Sequence, residues 1–180
     1  MREPLPLLIA SLPIKLALLA AFTVYATRPP QTAHSQPPIP DQTDRIVIQK
    51  SAHTLTLYSH GRITHTYKVA LGPGIGPKQF QNDHKTPEGL YTVNAKNPHS
   101  QYHLALHLSY PNAADRARAA AAHRLPGGDV EIHGLPDAYA FVGSAHRLHD
   151  WTDGCIAVTN PEIEEIFRLT PTNTPVQITP

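Results

Sequence analysis

A mainly β domain carrying two helices is the fold that the chain predicts from about residue 44 onward. Three observations predict it. Apolar residues alternate with period two in several short runs, turn signals separate those runs, and only two stretches carry helical periodicity. Nineteen prolines and ten glycines in 180 residues suit a loop-rich domain of short strands over a helical bundle. The length allows one domain with a real core, plus an appendage.

The appendage is N-terminal. Residues Leu5 to Ala26 are mostly apolar, behind Arg2 and with their densest stretch from Leu16 to Val24. Pro6, Pro13 and Lys15 shorten the uninterrupted part below the roughly 20 residues that a clean spanning helix wants. Val24-Tyr25-Ala26 places small residues where a signal peptidase reads them, so residues 1–26 read as an export signal or an uncleaved hydrophobic anchor. Residues 27–43 are rich in Pro, Gln, Ser and Thr, and read as a solvated linker. Either reading puts the following domain outside the cytoplasmic membrane, in the periplasm or cell envelope, with inner-membrane contact only through residues 1–26.

From Arg45 the pattern is extended. Ile46 and Ile48 alternate with Val47 and Gln49; Leu55 and Leu57 alternate with Thr54, Thr56 and Tyr58. Ser59-His60-Gly61-Arg62 is a turn, and alternation resumes from Ile63 to Leu71, which makes an antiparallel meander of two or three strands. Leu71 to Pro77 holds three glycines but lacks the Lys-Ser/Thr of a phosphate loop, so it reads as irregular. Thr86-Pro87-Glu88-Gly89 turns into a strand from Leu90 to Asn94. Tyr102 to Leu108 alternates again, with Leu104, Leu106 and Leu108 on one face, which argues against a helical metal pair at His103 and His107. Asn112 to His123 is an alanine-rich helix capped by Asn112 and ended by Pro126-Gly127-Gly128. Val130 to His133 is a short strand. A second helix starts at Asn160, read as its cap, with Pro161 in the first turn, Glu162, Glu164 and Glu165 near its positive end, and Ile163, Ile166 and Phe167 as its buried stripe. Val176 to Ile178 closes the domain as a strand.

Composition limits function. Formal net charge is +1 and charged residues are 16%, so there is no electrostatic case for a nucleic-acid partner. Cys155 is the single cysteine, which forbids an intramolecular disulfide and a thiolate zinc site. A lone thiol is commonly an inert core residue. Its context argues for nucleophilic catalysis: Gly154 precedes it, and His133, at the end of a short apolar strand and followed by Gly134, can take its proton. Glycine beside the sulfur would let backbone amides face a tetrahedral oxyanion.

His133-Gly134 followed 22 residues on by Thr152-Asp153-Gly154-Cys155 and a hydrophobic residue resembles the signature of the L,D-transpeptidase (YkuD-type) catalytic domain. Lys85-Thr86-Pro87-Glu88-Gly89-Leu90-Tyr91 and Leu106-His107-Leu108-Ser109-Tyr110-Pro111-Asn112 resemble blocks of one branch, which carries Asp-Trp-Thr-x-Gly-Cys and ends in Thr-Asn-x-Glu. The resemblance spans roughly Arg45 to Pro180 and implies a β-sandwich of the L,D-transpeptidase type with about two short helices. It implies that Cys155 forms a thioester with a peptidoglycan stem peptide at a meso-diaminopimelate–D-alanine bond and passes the acyl group to an amine. That amine belongs to a second stem peptide or to an outer-envelope protein. His133 is implied as the base, the Gly134 carbonyl as its orienting partner, and the Gly154 and Cys155 amides as oxyanion donors. No metal or organic cofactor is implied. Two other readings stay open: hydrolysis by the same Cys-His site, as a carboxypeptidase, endopeptidase or amidase, and a wall-binding module with an inert cysteine.

Two departures from the family pattern stand out. Asp153 occupies the place of a His or Arg, and Ala157 stands where Arg or Asn is usual. A carboxylate beside the sulfur would disfavour the thiolate. Asp153 is therefore expected to be paired, with Arg147 or His149 as the nearest basic residues in sequence. Trp151, Tyr110, His107 and His149 complete the set of candidate groove residues.

Overall fold

The structure is a computed structural model and describes residues 42–180. The hydrophobic segment 1–26 and the linker up to residue 41 lie outside the described residues. Among those described, no helix is long and apolar enough to cross a membrane.

Three strands open the domain: β1 (Arg45–Gln49), β2 (Thr54–Ser59) and β3 (Arg62–Lys68). Ile46 and Ile48 face Leu57 and Leu55 across the β1–β2 pair, and all four are fully buried, as period-two alternation requires. His60 and Gly61 join β2 to β3 and both hold positive φ, the combination that matches a two-residue hairpin to strand twist. The remaining elements are β4 (Gly89–Ser100), β5 (His103–Leu108), α1 (Ala113–Ala121), β6 (Glu131–His133), a 3-10 segment Asp137–Leu148, β7 (Ile156–Ala157), α2 (Asn160–Leu169) and β8 (Pro175–Thr179).

The expected sandwich takes the form of a single curled sheet, its two halves meeting at β4 and sharing one core. The strands form one eight-stranded, mainly antiparallel sheet in the order β3-β2-β1-β8-β4-β5-β6-β7. β4 makes it continuous by pairing with β8 through its first residues and with β5 through its later ones. It runs on to Ser100, beyond the expected Asn94, although Lys96, Asn97 and Pro98 lack strand periodicity. Register shifts at Val93/Ala95 and Asn97/Ser100 accommodate the proline and bend the sheet.

Both helices sit close to their expected places. Asn112 caps α1, accepting from Ala114 N (2.9 Å) and Asp115 N (3.0 Å), while Asp115 reaches back to Asn112 N. The helix stops short of Pro126-Gly127-Gly128, because His123 turns left-handed (φ 53) just past the cap. In α2 the cap is Thr159, not Asn160: Thr159 N donates to Glu162 Oε2 at 2.9 Å. Asn160 is instead a tie, its Oδ1 accepting from Leu135 N at 2.7 Å. Ile163 and Ile166 of α2 join Leu106, Ile132 and Ile156 in the core, so the helix packs on β5 and shares its core with the isoleucines of the short strands β6 and β7. Those two strands carry the chemistry.

Candidate active site

β6 and β7 are parallel neighbours, with Ile132 opposite Ile156 and His133 opposite Ala157. Both isoleucines point into the core, so Glu131, His133 and Cys155 share the opposite face. Continued by one residue, the register sets Cys155 beside Glu131 and diagonal to His133, a Cα separation of about 7–8 Å in such a lattice. The sequence could specify which face His133 takes on β6, but not that Ile156 and Ala157 would form a strand beside it.

His133 is 2% exposed. Its Nδ1 donates to the Gly134 carbonyl at 2.7 Å; a carbonyl only accepts, so the proton is on Nδ1 and Nε2 presents a lone pair. Tyr102 lies against the ring at 4.3 Å between centroids and Trp151 meets it edge-on at 5.9 Å. Burial pushes the imidazole below the usual histidine range, and the bond to Gly134 only partly opposes this. A side chain at Gly134 would collide with Asn160 Oδ1 at 2.7 Å and Ile163 Cγ2 at 2.9 Å, which is why the orienting carbonyl belongs to a glycine.

Cys155 is half-buried, and its thiol donates to the Asp129 carbonyl at 3.4 Å. Burial pushes it up to about 11, with the Glu131 and Asp153 carboxylates adding to the rise and the Glu131 backbone and Lys78 opposing it. At neutral pH the pair is thus a thiol beside a neutral imidazole, not a thiolate–imidazolium pair. Attack by this sulfur needs a base in the same step.

The turn carrying the nucleophile is tightly held. Thr152 Oγ1 donates to the Cys155 carbonyl at 2.7 Å and accepts from Gly154 N at 3.2 Å. The Gly154 amide is therefore spent inside the turn, and its expected place as an oxyanion donor is corrected: it is an anchor. Gly154 holds φ 123. Asp150 braces the same turn from outside, accepting from Leu71 N (2.8 Å) and from His53 Nε2 (2.9 Å).

The other candidates divide. Trp151 packs on His133 and is 41% exposed, so it can cover the imidazole and still meet a ligand. His107 pairs with Glu131 at 3.0 Å, in the row across β5, β6 and β7 that ends at Cys155. Tyr110 is not a groove residue: it is 5% exposed and donates to the Pro126 carbonyl at 2.7 Å. His149 is exposed, and among the described residues no hydrogen bond joins it to the site. Asp153 is paired, though not with Arg147 or His149. Its carboxylate accepts from His84 Nδ1 at 2.5 Å, while Arg147 is held by Glu162. His84 lies 69 residues away in sequence, and nothing local signals the pairing.

Tyr102, Glu131, Lys78 and His146 are site residues that no motif announced. His146 receives the Trp151 indole N–H on Nδ1 at 3.5 Å, while its buried Nε2 has no partner among the described residues. Burial, then Arg147, push His146 down to about 4. A group whose folded value is depressed below the unfolded one gives stability that is present above the unfolded pKa of about 6.5 and is lost as pH falls toward the folded value. His133 has the same sign, whereas His103, raised by Glu164 and Asp137 against its burial, contributes in the opposite sense. Urea melts of the chain should therefore lose stability between about pH 6.5 and 4, and His146→Phe should flatten that dependence. An unaltered dependence in the variant would refute the assignment. Among the described residues, no group of three or more His, Cys, Asp or Glu side chains is placed to hold a metal ion.

Comparison with known proteins places the domain in a family. The profile of the family described as YkuD, L,D-transpeptidase catalytic domain, matches residues 43–178. An Escherichia coli K12 protein named "Putative L,D-transpeptidase YafK" is 37% identical over 131 residues, covering 69% of this chain and 46% of its own length. The crystal structure of the helical cell shape determining protein Pgp2 of Campylobacter jejuni superposes with a TM-score of 0.59 at 28% identity, covering 77% of this chain and 48% of that one. An L,D-transpeptidase of Mycobacterium smegmatis shares the fold at a TM-score of 0.51 and 16% identity, over 75% of this chain and 58% of its own. The chain thus spans about half the length of these relatives. With the profile running across nearly all of the described domain, the chain belongs to the YkuD family of L,D-transpeptidase catalytic domains.

Proposed function

We propose that the domain is a cysteine peptidyltransferase of the bacterial wall, making an L,D-cross-link through an acyl-enzyme at Cys155. The observation that carries this is the shared face of β6 and β7, on which the Nε2 lone pair of His133 is turned free by the Nδ1 bond to Gly134. Cys155 Sγ attacks the carbonyl carbon of a meso-diaminopimelate–D-alanine bond as His133 Nε2 takes the thiol proton. Collapse of the tetrahedral species breaks the C–N bond, and the imidazolium returns its proton to the departing D-alanine amine. An acceptor amine then attacks the thioester, gives its proton to His133, and releases the thiol. Rotation of the thiol from Asp129 O toward His133 precedes the first step, as catalytic hydrogen bonds often tighten only when substrate binds. The sequence around Trp151 supports a place in the Asp-Trp-Thr-x-Gly-Cys branch, and the apolar run of residues 1–26 supports delivery of the domain to the periplasm or cell envelope. A contribution to cell shape accords with the likeness to Pgp2.

Incubation of the protein with sacculi, followed by digestion and mass spectrometry of muropeptides, tests the reading. New dimers joined between third-position residues are expected, and Cys155→Ala should abolish them with the fold intact. Accumulation of tripeptides alone would replace transfer by hydrolysis. Unchanged muropeptides with a Cys155 that resists acylating agents would make the domain a binding module.

A further inference from the structure

Lys78 lies outside every motif of the catalytic signature, yet its side chain is 4% exposed and ends at the nucleophile turn. Its stem runs between two glycines. A Cβ on Gly154 would lie 3.5 Å from Lys78 Cδ, and one on Gly127 would lie 3.6 Å from Cε. At the tip, Nζ donates to Asp83 Oδ1 at 2.9 Å and to the Asp153 carbonyl at 3.3 Å. Asp83 in turn accepts from Gln79 N (2.6 Å), Phe80 N (3.1 Å) and Lys85 N (3.2 Å), so one carboxylate organises the whole 78–85 loop. That loop closes on the turn: the Lys85 carbonyl fills the space a side chain on Gly154 would need, and His84 holds Asp153. Arg118 of α1 donates to the Lys78 carbonyl at 3.2 Å and fixes the far end.

Buried ion pairs give little net stability, because desolvation of both charges offsets their attraction. An apolar pair of similar size would serve packing as well. The placement of this one beside the nucleophile suggests another use. The charged groups acting on the sulfur are unevenly signed. Glu131 on β6, with His107 behind it on β5, disfavours a thiolate, as does Asp153 in the turn with His84 upon it. Lys78 is the side-chain cation that favours it, with Asp83 on its far side. His133, neutral at rest, becomes positive only as it takes the proton.

We propose that Lys78 is a positioning residue of the Cys155 site, holding the Asp153 carbonyl and so the turn that presents the sulfur, and standing as a fixed positive charge where negative charge develops. This rests on Cys155 being the nucleophile, but not on where its acyl group goes.

The test is the rate of iodoacetamide alkylation of the full chain between pH 6 and 11, followed by intact mass; with a single cysteine it reports one site. Lys78→Met should slow the reaction about tenfold throughout pH 7–10, where the rate follows the thiolate fraction, the equivalent of an upward move of about one pH unit. Lys78→Arg, which keeps the charge, should stay near wild type. Because Lys78→Met leaves Asp83 charged and unpaired, which can unfold a protein, the double variant Lys78→Met/Asp83→Asn removes both charges and should show the same upward move. A rate unchanged in the folded Met or double variant, or lowered as far in Lys78→Arg as in Lys78→Met, overturns the proposal. Alkylation requires no turnover. A wild-type protein that makes no cross-link would therefore count against the proposed function alone.

Discussion

Replacing His133 by alanine is expected to slow acylation of Cys155 by about 10²–10⁴-fold at neutral pH, the usual contribution of a positioned general base. The size follows from the sulfur's surroundings. With the thiol pushed up to about 11, only about one molecule in 10⁴ carries a thiolate at pH 7. The imidazole is the group that makes the other molecules reactive, by removing the proton as the bond to carbon forms. The deficit should narrow as pH rises past 10, because hydroxide then does what Nε2 did. Single-turnover acylation by a carbapenem, read by mass spectrometry at pH 7 and pH 10.5, checks both parts. A variant acylating within threefold of wild type at pH 7 would show that His133 is not the base. The substitution also empties space beneath Tyr102 and Trp151, so a melting curve is needed to show that the fold persists.

Gly154→Ala should be the most damaging single-methyl change in the domain. Its Cβ would stand 2.4 Å from the Lys85 carbonyl oxygen, which is backbone and cannot swing aside, and its φ of +123 strains any L side chain. The cost should be on the order of 3 kcal/mol or more, combining backbone strain with overpacking. Relief of the overlap would push the turn away from the 78–85 loop, so acylation of Cys155 should fail even where the fold survives. Gly143→Ala is the control. That residue also has positive φ, +51, but nothing lies within 4 Å of its Cβ, so backbone strain of about 1–3 kcal/mol is all that is expected, with no overpacking added. Urea denaturation of both variants decides the matter. Equal losses would mean that the Lys85 contact is soft and that φ alone sets the cost.

Strands were legible where alternation is strong. Ile46/Ile48, Leu55/Leu57 and Leu106/Leu108 each put one face in the core, and each emerged as a strand. The caps were legible to within one residue: Asn112 holds its helix, while Thr159 took the role that Asn160 resembled, since Glu162 is three residues from Thr159 and two from Asn160. β7 was not legible. Two residues carry no period, and Ile156-Ala157 are a strand only because β6 and the Ala70 segment bond to both edges. The 3-10 segment Asp137–Leu148 was not legible either, for a related reason. It leaves Tyr139, Phe141 and Leu148 exposed, so burial imposes no helical stripe on it.

The candidate site divides along the same line. Thiol, imidazole, the glycines beside them and the strand faces are local properties, and the sequence by itself determined them. Contacts decided the rest: which carbonyl holds Nδ1, that the Gly154 amide is already engaged, that His84 pairs with Asp153, and that Lys78 arrives beneath the turn. The physical reason is range. Backbone periodicity and capping act over a few residues, whereas protonation state and hydrogen-bond supply at Cys155 depend on dielectric and charge brought in from segments tens of residues away, and those exist only after the sheet has closed.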